Sequence, residues 1–327
     1  MSAELEIIDG RALVLGRDPM WHALGQVVGD NFDTEWITRY APEILSPVTM
    51  HDTYVIVDGE FGPEYVQTPQ KAAIVRAIDQ KVVGEGVGKD SYGIVQSQDA
   101  YEWGQTISGF GDLPLVSAGT LREGRQFFFT YQMGEEAPAG IKHTPYLTVC
   151  SSHDGSLSLM AMFSNIITVC ANTLAMNISS TRKGKSNKVT IRHTANVDQR
   201  MKMALEALRG AAAYVENTNA EIVRLATIKV RDFTPLLDGL MPVIDNDGRS
   251  KTMRDNARDA VRSLLRSQVI EDDHRNTGWA WVQAVNTYEN WTAPIRGGDR
   301  ATRQFDAVVK GTQSLTTQAF GQVLALA

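Results

Sequence analysis

The sequence predicts an α+β protein. An antiparallel, β-rich N-terminal body spans residues 1–188, and a helical C-terminal region over 189–327 packs on it. The boundary, near Gly184–Val189, is soft, and a single domain is equally compatible. Three observations predict this class. Aromatic and β-branched runs separated by Gly, Pro and Asx turns fill the first half, the composition that a pleated, half-buried surface selects. From Val197 the spacing changes, with Met201, Leu205, Leu208, Ala212 and Val215 recurring at the period of an amphipathic helix. No segment repeats with the period of a solenoid or propeller.

In chain order, residues 1–20 read as an arm carrying one short apolar run, Ala12–Leu15, followed by the apolar cluster Trp21-His22-Ala23-Leu24-Gly25. Asp33 or Thr34 can cap a helix that opens at Glu35-Trp36-Ile37, because a short oxygen side chain there accepts from a free helical N–H. His51–Val57 is a strand ended by the turn residues Asp58-Gly59, and Glu64–Gln67 is a second, short strand. Lys71–Gln80 fits helix and strand equally. Gln98–Ser108 places Ala100, Trp103 and Ile107 on one helical face. Leu115–Ala118, Gln126–Gln132 and Tyr146–Ser151 are strands, and Asp154-Gly155 turns the last of them into Ser156–Phe163. The helical half comprises Val197–Arg231, ended by Pro235, then Thr252–Ser267, Trp279–Trp291 and Ala301–Ala327.

Composition narrows the function classes. With 327 residues, 43% of them apolar and 21% charged, the chain can bury a sizeable core. A net charge of −6 gives no global attraction to nucleic acid or anionic membrane, so any such site must be a local patch. Cys150 and Cys170, each in an apolar run, read as small hydrophobes and not as a disulfide framework or catalytic thiols. The acidic start, MSAELEIIDG, lacks the apolar region of a signal peptide, and no run is long enough to span a bilayer. The expectation is a cytoplasmic protein without a membrane partner.

Several constellations were weighed for chemistry. Gly84, Gly86 and Gly88 lack the strand–turn–helix setting of a nucleotide loop and read as a loop or turn. No two of the six histidines have metal-pair spacing, so neither a metal nor a cofactor is expected. His153-Asp154 sits at a hairpin tip and reads as turn chemistry more readily than as a base with its orienting carboxylate. His193 lies between Arg192 and Thr194 at a helix entrance that Thr194 can cap. Asp245-Asn246-Asp247-Gly248 lacks the distal Glu of a calcium loop and reads as an Asx turn. The tryptophans, tyrosines and phenylalanines at 92, 101, 103 and 127–129 could stack on bases but read mainly as core.

The strongest physical signal is cationic. Arg182, Lys183, Lys185, Lys188, Arg192, Arg200 and Lys202 are opposed only by Asp198, and Gly184, Ser186 and Asn187 make the run flexible and rich in donors. Together with His193 they form the candidate nucleic-acid-binding set, since phosphate contacts need clustered Lys and Arg. Arg254, Arg258, Arg262 and Arg266 add a stripe along one helix, interrupted by Asp255 and Asp259.

Cys170-Ala171-Asn172-Thr173-Leu174, followed by Ile191-Arg192-His193-Thr194, resembles the phage/plasmid-like protein family, a domain of unknown function. Trp21–Gly25, Tyr92-Gly93-Ile94-Val95, Ala118-Gly119, Leu121-Arg122, Gly124, Ser151–Gly155 and the Trp281–Tyr288 helix carry the resemblance over nearly the whole chain. The insertion Ser180–Lys188 departs from the family pattern, so its charges belong to this chain. The resemblance implies a mobile-element protein and supplies no catalytic residues.

The leading expectation is a non-enzymatic nucleic-acid-binding protein, a single-strand annealing or recombination accessory acting on single-stranded DNA as a homo-oligomer. The alternatives are a phage structural or host-factor-binding protein and, behind it, a hydrolase using His153, Asp154 and His193.

Overall fold

The aromatic and β-branched runs of the first half do assemble into antiparallel sheet. The computed structural model describes residues 6–17, 26–29, 32–108, 113–166, 188–194, 196, 206–245, 248–268, 270–294 and 314–326. The strands are β1 (Ile7–Ile8), β2 (Arg11–Ala12), β3 (Val14–Gly16), β4 (Gln26–Val27), β5 (Val48–Gly59), β6 (Gly62–Arg76), β7 (Val82–Gly88), β8 (Leu115–Leu121), β9 (Gln126–Gln132), β10 (Thr144–Ser152), β11 (Leu159–Ile166) and β12 (Lys188–Ile191). Among the described residues seven of them form one sheet in the order β12-β11-β10-β9-β8-β3-β4, antiparallel except where β3 meets β4. A second sheet has the order β5-β6-β7, and β1 pairs only with β2.

One face of the large sheet is covered by α1 (Thr34–Tyr40) and α2 (Ser97–Ser108), which bring Ile37, Ala100 and Trp103 against Phe127, Phe129, Tyr131, Leu147 and Val149. Asp33, not Thr34, caps α1, its Oδ1 accepting the Trp36 N–H at 2.9 Å. Of β9, six of the seven residues are buried, so the QFFFTYQ run reads as continuous apolar sequence and not as alternation.

The helices that follow are α3 (Glu206–Thr227), α4 (Thr234–Leu240), α5 (Arg249–Leu265), α6 (Gly278–Thr287) and α7 (Ser314–Leu324). All ten residues of α6 are buried, the polar Gln283, Asn286 and Thr287 among them. Trp279 and Trp281 centre a separate core with Leu225, Leu237, Val261 and Phe320. Polar ends are met by side chains: Glu289 accepts the Leu315 and Thr316 N–H groups at the start of α7, at 3.2 and 2.9 Å. His143 Nε2 and Asn219 Oδ1, 2.8 Å apart, link the long loop before β10 to α3.

Four expectations change. Residues 1–20 are not a free arm, because Leu13 and Leu15 are buried and β3 adds to the large sheet beside β8. Gly84–Gly88 lies in β7, paired with β6, and not in a loop. Lys71–Arg76 resolves as strand, so that the short Glu64–Gln67 strand is part of a fifteen-residue one. Pro235 does not end the long helix; it sits in the first turn of α4, where its missing N–H leaves no bond unmade. The Trp21–Gly25 cluster, Cys170, the 197–205 start of the long helix, Asn246-Asp247 and residues 301–313 lie outside the described residues.

Two junctions hold the smaller sheet to the larger one. At the first, Arg76 of β6 forks onto Glu6 at 2.9 and 2.6 Å and also holds Asp79 at 3.0 and 2.6 Å. Lys81 reaches Glu6 at 3.1 Å and the Thr120 hydroxyl of β8 donates to it at 2.7 Å. Glu6 is 1% exposed and Arg76 2%. Gly124, at φ 85°, leaves the room that the guanidinium occupies, since a Cβ there would lie 2.9 Å from Arg76 Nη1. Burial alone would raise the Glu6 carboxyl, but the bonds from Arg76 and Thr120 outweigh it and hold it below the usual range.

Glu6→Gln is expected to cost about 1–3 kcal/mol, because Arg76 keeps Asp79 but loses its buried carboxylate partner. The Glu6 contribution is present above the ordinary glutamate value of about 4.3 and is lost as pH falls through its lower folded value. Denaturant melts of the wild type and of Glu6→Gln at neutral and acidic pH check both: the gap between them must narrow on acidification.

Candidate functional site

The second junction contains the residues that the sequence singled out. After β7 the chain passes Tyr92-Gly93; the turn between β10 and β11 supplies Ser151 to Leu157; and the chain leaving β12 supplies Arg192 and His193. These three segments meet around the His193 ring. Its Nδ1 lies 3.0 Å from the Gly93 carbonyl, and its Nε2 lies 3.0 Å from both the Ser151 hydroxyl and the Leu157 carbonyl. Tyr92 stacks on the same ring, centroids 4.9 Å apart and planes 7° from parallel, and donates its hydroxyl to the Ser152 carbonyl at 3.0 Å.

A carbonyl only accepts, and a neutral ring carries one N–H, so it can donate to Gly93 or to Leu157 but not to both. With the proton on Nδ1, Nε2 accepts from the Ser151 hydroxyl. The Leu157 carbonyl receives the Ser152 hydroxyl at 3.0 Å, and the Leu157 N–H returns to Ser152 Oγ at 2.9 Å. His193 is held toward the neutral form. Burial lowers its pKa, and the Gly93 and Leu157 carbonyls offset only part of that. Beside it, His153 is buried against Phe127 at 5.0 Å. Burial, with the neighbouring His193 and Arg76, pushes it down to about 3. A Cβ on Gly84 would lie 2.4 Å from the His153 carbonyl oxygen, so β7 approaches this turn too closely for any side chain.

The Ser151–His193 distance is that of a nucleophile and its base, but Ser151 is fully buried and no reactant can reach its hydroxyl. His153 does lie in the hairpin turn, yet Asp154 does not orient it: Asp154 Oδ1 accepts the Ser156 N–H at 2.8 Å and shapes the turn. Nor does His193 face outward with the cations. Among the described residues, no group of three His, Cys, Asp or Glu is placed to hold a metal ion.

Of the candidate nucleic-acid-binding residues, Arg192 is exposed at the end of β12, the outer strand of the large sheet. Lys188 opens that strand. Arg182, Lys183, Lys185, Arg200 and Lys202 lie outside the described residues, as do Val197–Gln199, the turn that Thr194 was expected to cap. The arginine stripe divides. Arg258 is buried, donating to the Met241 carbonyl and to Asp238 at 2.5 Å each, and so closes the end of α4. Arg262 pairs with Asp259 at 2.9 Å, and Arg266 is exposed. Phe127, Phe128 and Phe129 are fully buried.

Sequence reading missed one feature. The outer halves of β5 and β6 project Tyr54, Ile56, Phe61 and Tyr65 into solvent, with Phe61 96% exposed. Its signal was present: apolar residues occur on both parities of Tyr54–Val57, with no polar face.

These features define an α+β protein in which Ser151 and His153 are buried and Tyr92 and His193 pack half-buried beside them, while an apolar ribbon stands exposed. Residues 85–310 match the family described as Domain of unknown function (DUF932), and the chain belongs to that family. Comparison with curated proteins and with solved structures found no match to either.

Both junction histidines are neutral when folded and bind a proton in the unfolded chain below about pH 6.5. Stability is therefore expected to fall as pH drops through that value, by up to about 1.4 kcal/mol per unit for each buried ring. His153→Phe should flatten the dependence, as read from urea midpoints at several pH values. Gly84→Ala should cost about 1–3 kcal/mol in the same melts, because backbone and not a flexible side chain would have to yield.

Proposed function

We propose that this chain is a non-enzymatic nucleic-acid-binding protein of the phage/plasmid type, acting on single-stranded DNA in the host cytoplasm as an annealing or recombination accessory. The observation that carries the reading is the run Arg182, Lys183, Lys185, Lys188, Arg192, Arg200 and Lys202, with Asp198 as its single acid, between β11 and α3. Among the described residues β12 is the outer strand of the large sheet, and Arg192 is exposed at its end. On a chain of net charge −6 such a concentration of cations is local, and clustered Lys and Arg are what phosphate contacts require.

The second reading, a structural or host-factor-binding protein, is favoured by the exposed apolar ribbon of β5 and β6. A pull-down separates the two, since nuclease treatment releases a partner held through nucleic acid and leaves a direct one in place.

A gel-shift titration tests the first reading. Retardation of a single strand is expected at about 50 mM salt, weakening steeply as salt rises. Replacing Lys183, Lys185 and Lys188 by Glu should weaken binding at least about tenfold and reduce the log–log salt slope by roughly 2, about 0.7 per lost phosphate contact. No retardation at low salt sinks the reading.

A further inference from the structure

We propose that the ribbon formed by the outer halves of β5 and β6 is a self-association arm that packs against the same ribbon of a second copy of this chain. The inference does not depend on nucleic-acid binding.

The arm is separated from the body by its own backbone. Asp52 pairs with Ala72 but Tyr54 with Gln67, so Thr68–Lys71 bulges opposite Thr53 and the ladder restarts beyond it. Below the bulge β7 pairs with β6, from Lys71 onward; above it two strands stand alone. A lone two-stranded ribbon is marginal in water. This one exposes Tyr54, Ile56 and Tyr65 on one face and Val55, Val57 and Val66 on the other, since opposed residues such as Ile56 and Tyr65 share a face. Phe61 crowns the turn. The open edge of β5 is stopped at the body end, where the Gln96 side chain takes the Val48 N–H and donates to its carbonyl, both at 2.9 Å. Above that point β5 is an edge strand, the surface that recruits another strand.

Charge and area choose the occupant. Between Arg39 and Lys71 the chain has no Lys or Arg, while Asp58, Glu60 and Glu64 cluster at the tip. A polyanion or an anionic membrane is thereby disfavoured. Elsewhere among the described residues the exposed large apolar side chains are scattered singly, so the complement that a second copy offers is its own ribbon. One face of the arm, Tyr54, Ile56 and Tyr65 with Phe61 at the turn, presents roughly 500 Å², the share of each partner in an interface at the small end of the specific range. Antiparallel packing about a two-fold axis puts the acidic tips at opposite ends and so keeps like charges apart.

Sedimentation of the full chain tests this. The wild type is expected at twice the 36.0 kDa chain mass at micromolar concentration. Raising salt should strengthen the association, because it screens the tips and favours apolar burial. Ile56→Lys with Tyr65→Lys, on the face that packs, should raise the dissociation constant at least about tenfold, whereas Val55→Lys with Val66→Lys, on the opposite face, should change it less. All four side chains are exposed, so both variants should keep the wild-type circular dichroism spectrum, while loss of the dimer lowers the melting temperature of the first in a concentration-dependent way. A wild type that sediments as a monomer overturns the proposal and leaves the ribbon to a foreign partner. So does a dimer that both variants leave intact, which would place the contact elsewhere.

Discussion

The Glu6–Arg76 ion pair is the constraint on which the arrangement of the N-terminal half depends. It gathers an N-terminal residue, the end of β6, the Lys81 that follows it and Thr120 of the large sheet into one buried knot. Such a pair adds little net stability, because removing two charges from water costs nearly what their attraction returns. Its effect is on specificity. Any other seating of the smaller sheet would part the buried Glu6 carboxylate from the guanidinium that satisfies it. Gly124 shows how tightly the knot is set, since a single carbon there would touch Arg76.

The His193 junction does the same work with neutral groups. Burial favours the neutral imidazole, whose two nitrogens meet the Gly93 and Leu157 carbonyls and the Ser151 hydroxyl. The two junctions are adjacent: His153, in the second, feels Arg76 and Glu6, in the first. Together they turn a three-stranded sheet with a small core, Val48, Ala72, Ile74, Val83 and Val87, into a rigid base. A projecting ribbon needs such a base if it is to hold a fixed direction. Among the described residues these polar groups serve as fastening inside the fold, and the ribbon leaves an apolar surface exposed.

The helical region is organised by a different rule. Its core is α6, buried on every side, and two of its charges, Arg258 and Glu289, close helix ends. Arg258 shows this most clearly: read along α5 it belongs to a stripe of arginines, yet its guanidinium covers the carbonyl end of α4. Glu289 performs the corresponding task at the N-terminus of α7. Periodicity identified the face on which Arg258 lies, and only packing revealed that this face is turned inward.

What the sequence determined by itself was local. Alternation and aromatic content located β8 to β11, the Asp33 cap started α1, and the 3.6-residue period marked α3, α5 and α6, because each of these signals is written within a dozen consecutive residues. The cationic run and the acid-only stretch from Tyr40 to Gln70 are equally local and equally legible. Tertiary structure decided everything that joins distant segments. Gly84–Gly88 looked like a loop because glycine is a poor strand former, and it is a strand because only a bare backbone fits beneath the His153 carbonyl. His153 and His193 were weighed as candidate chemistry because nothing in their spacing reports burial. Glu6 and Arg76 are seventy positions apart, and no pattern along a chain can announce that two charges so far separated will be sealed together away from water.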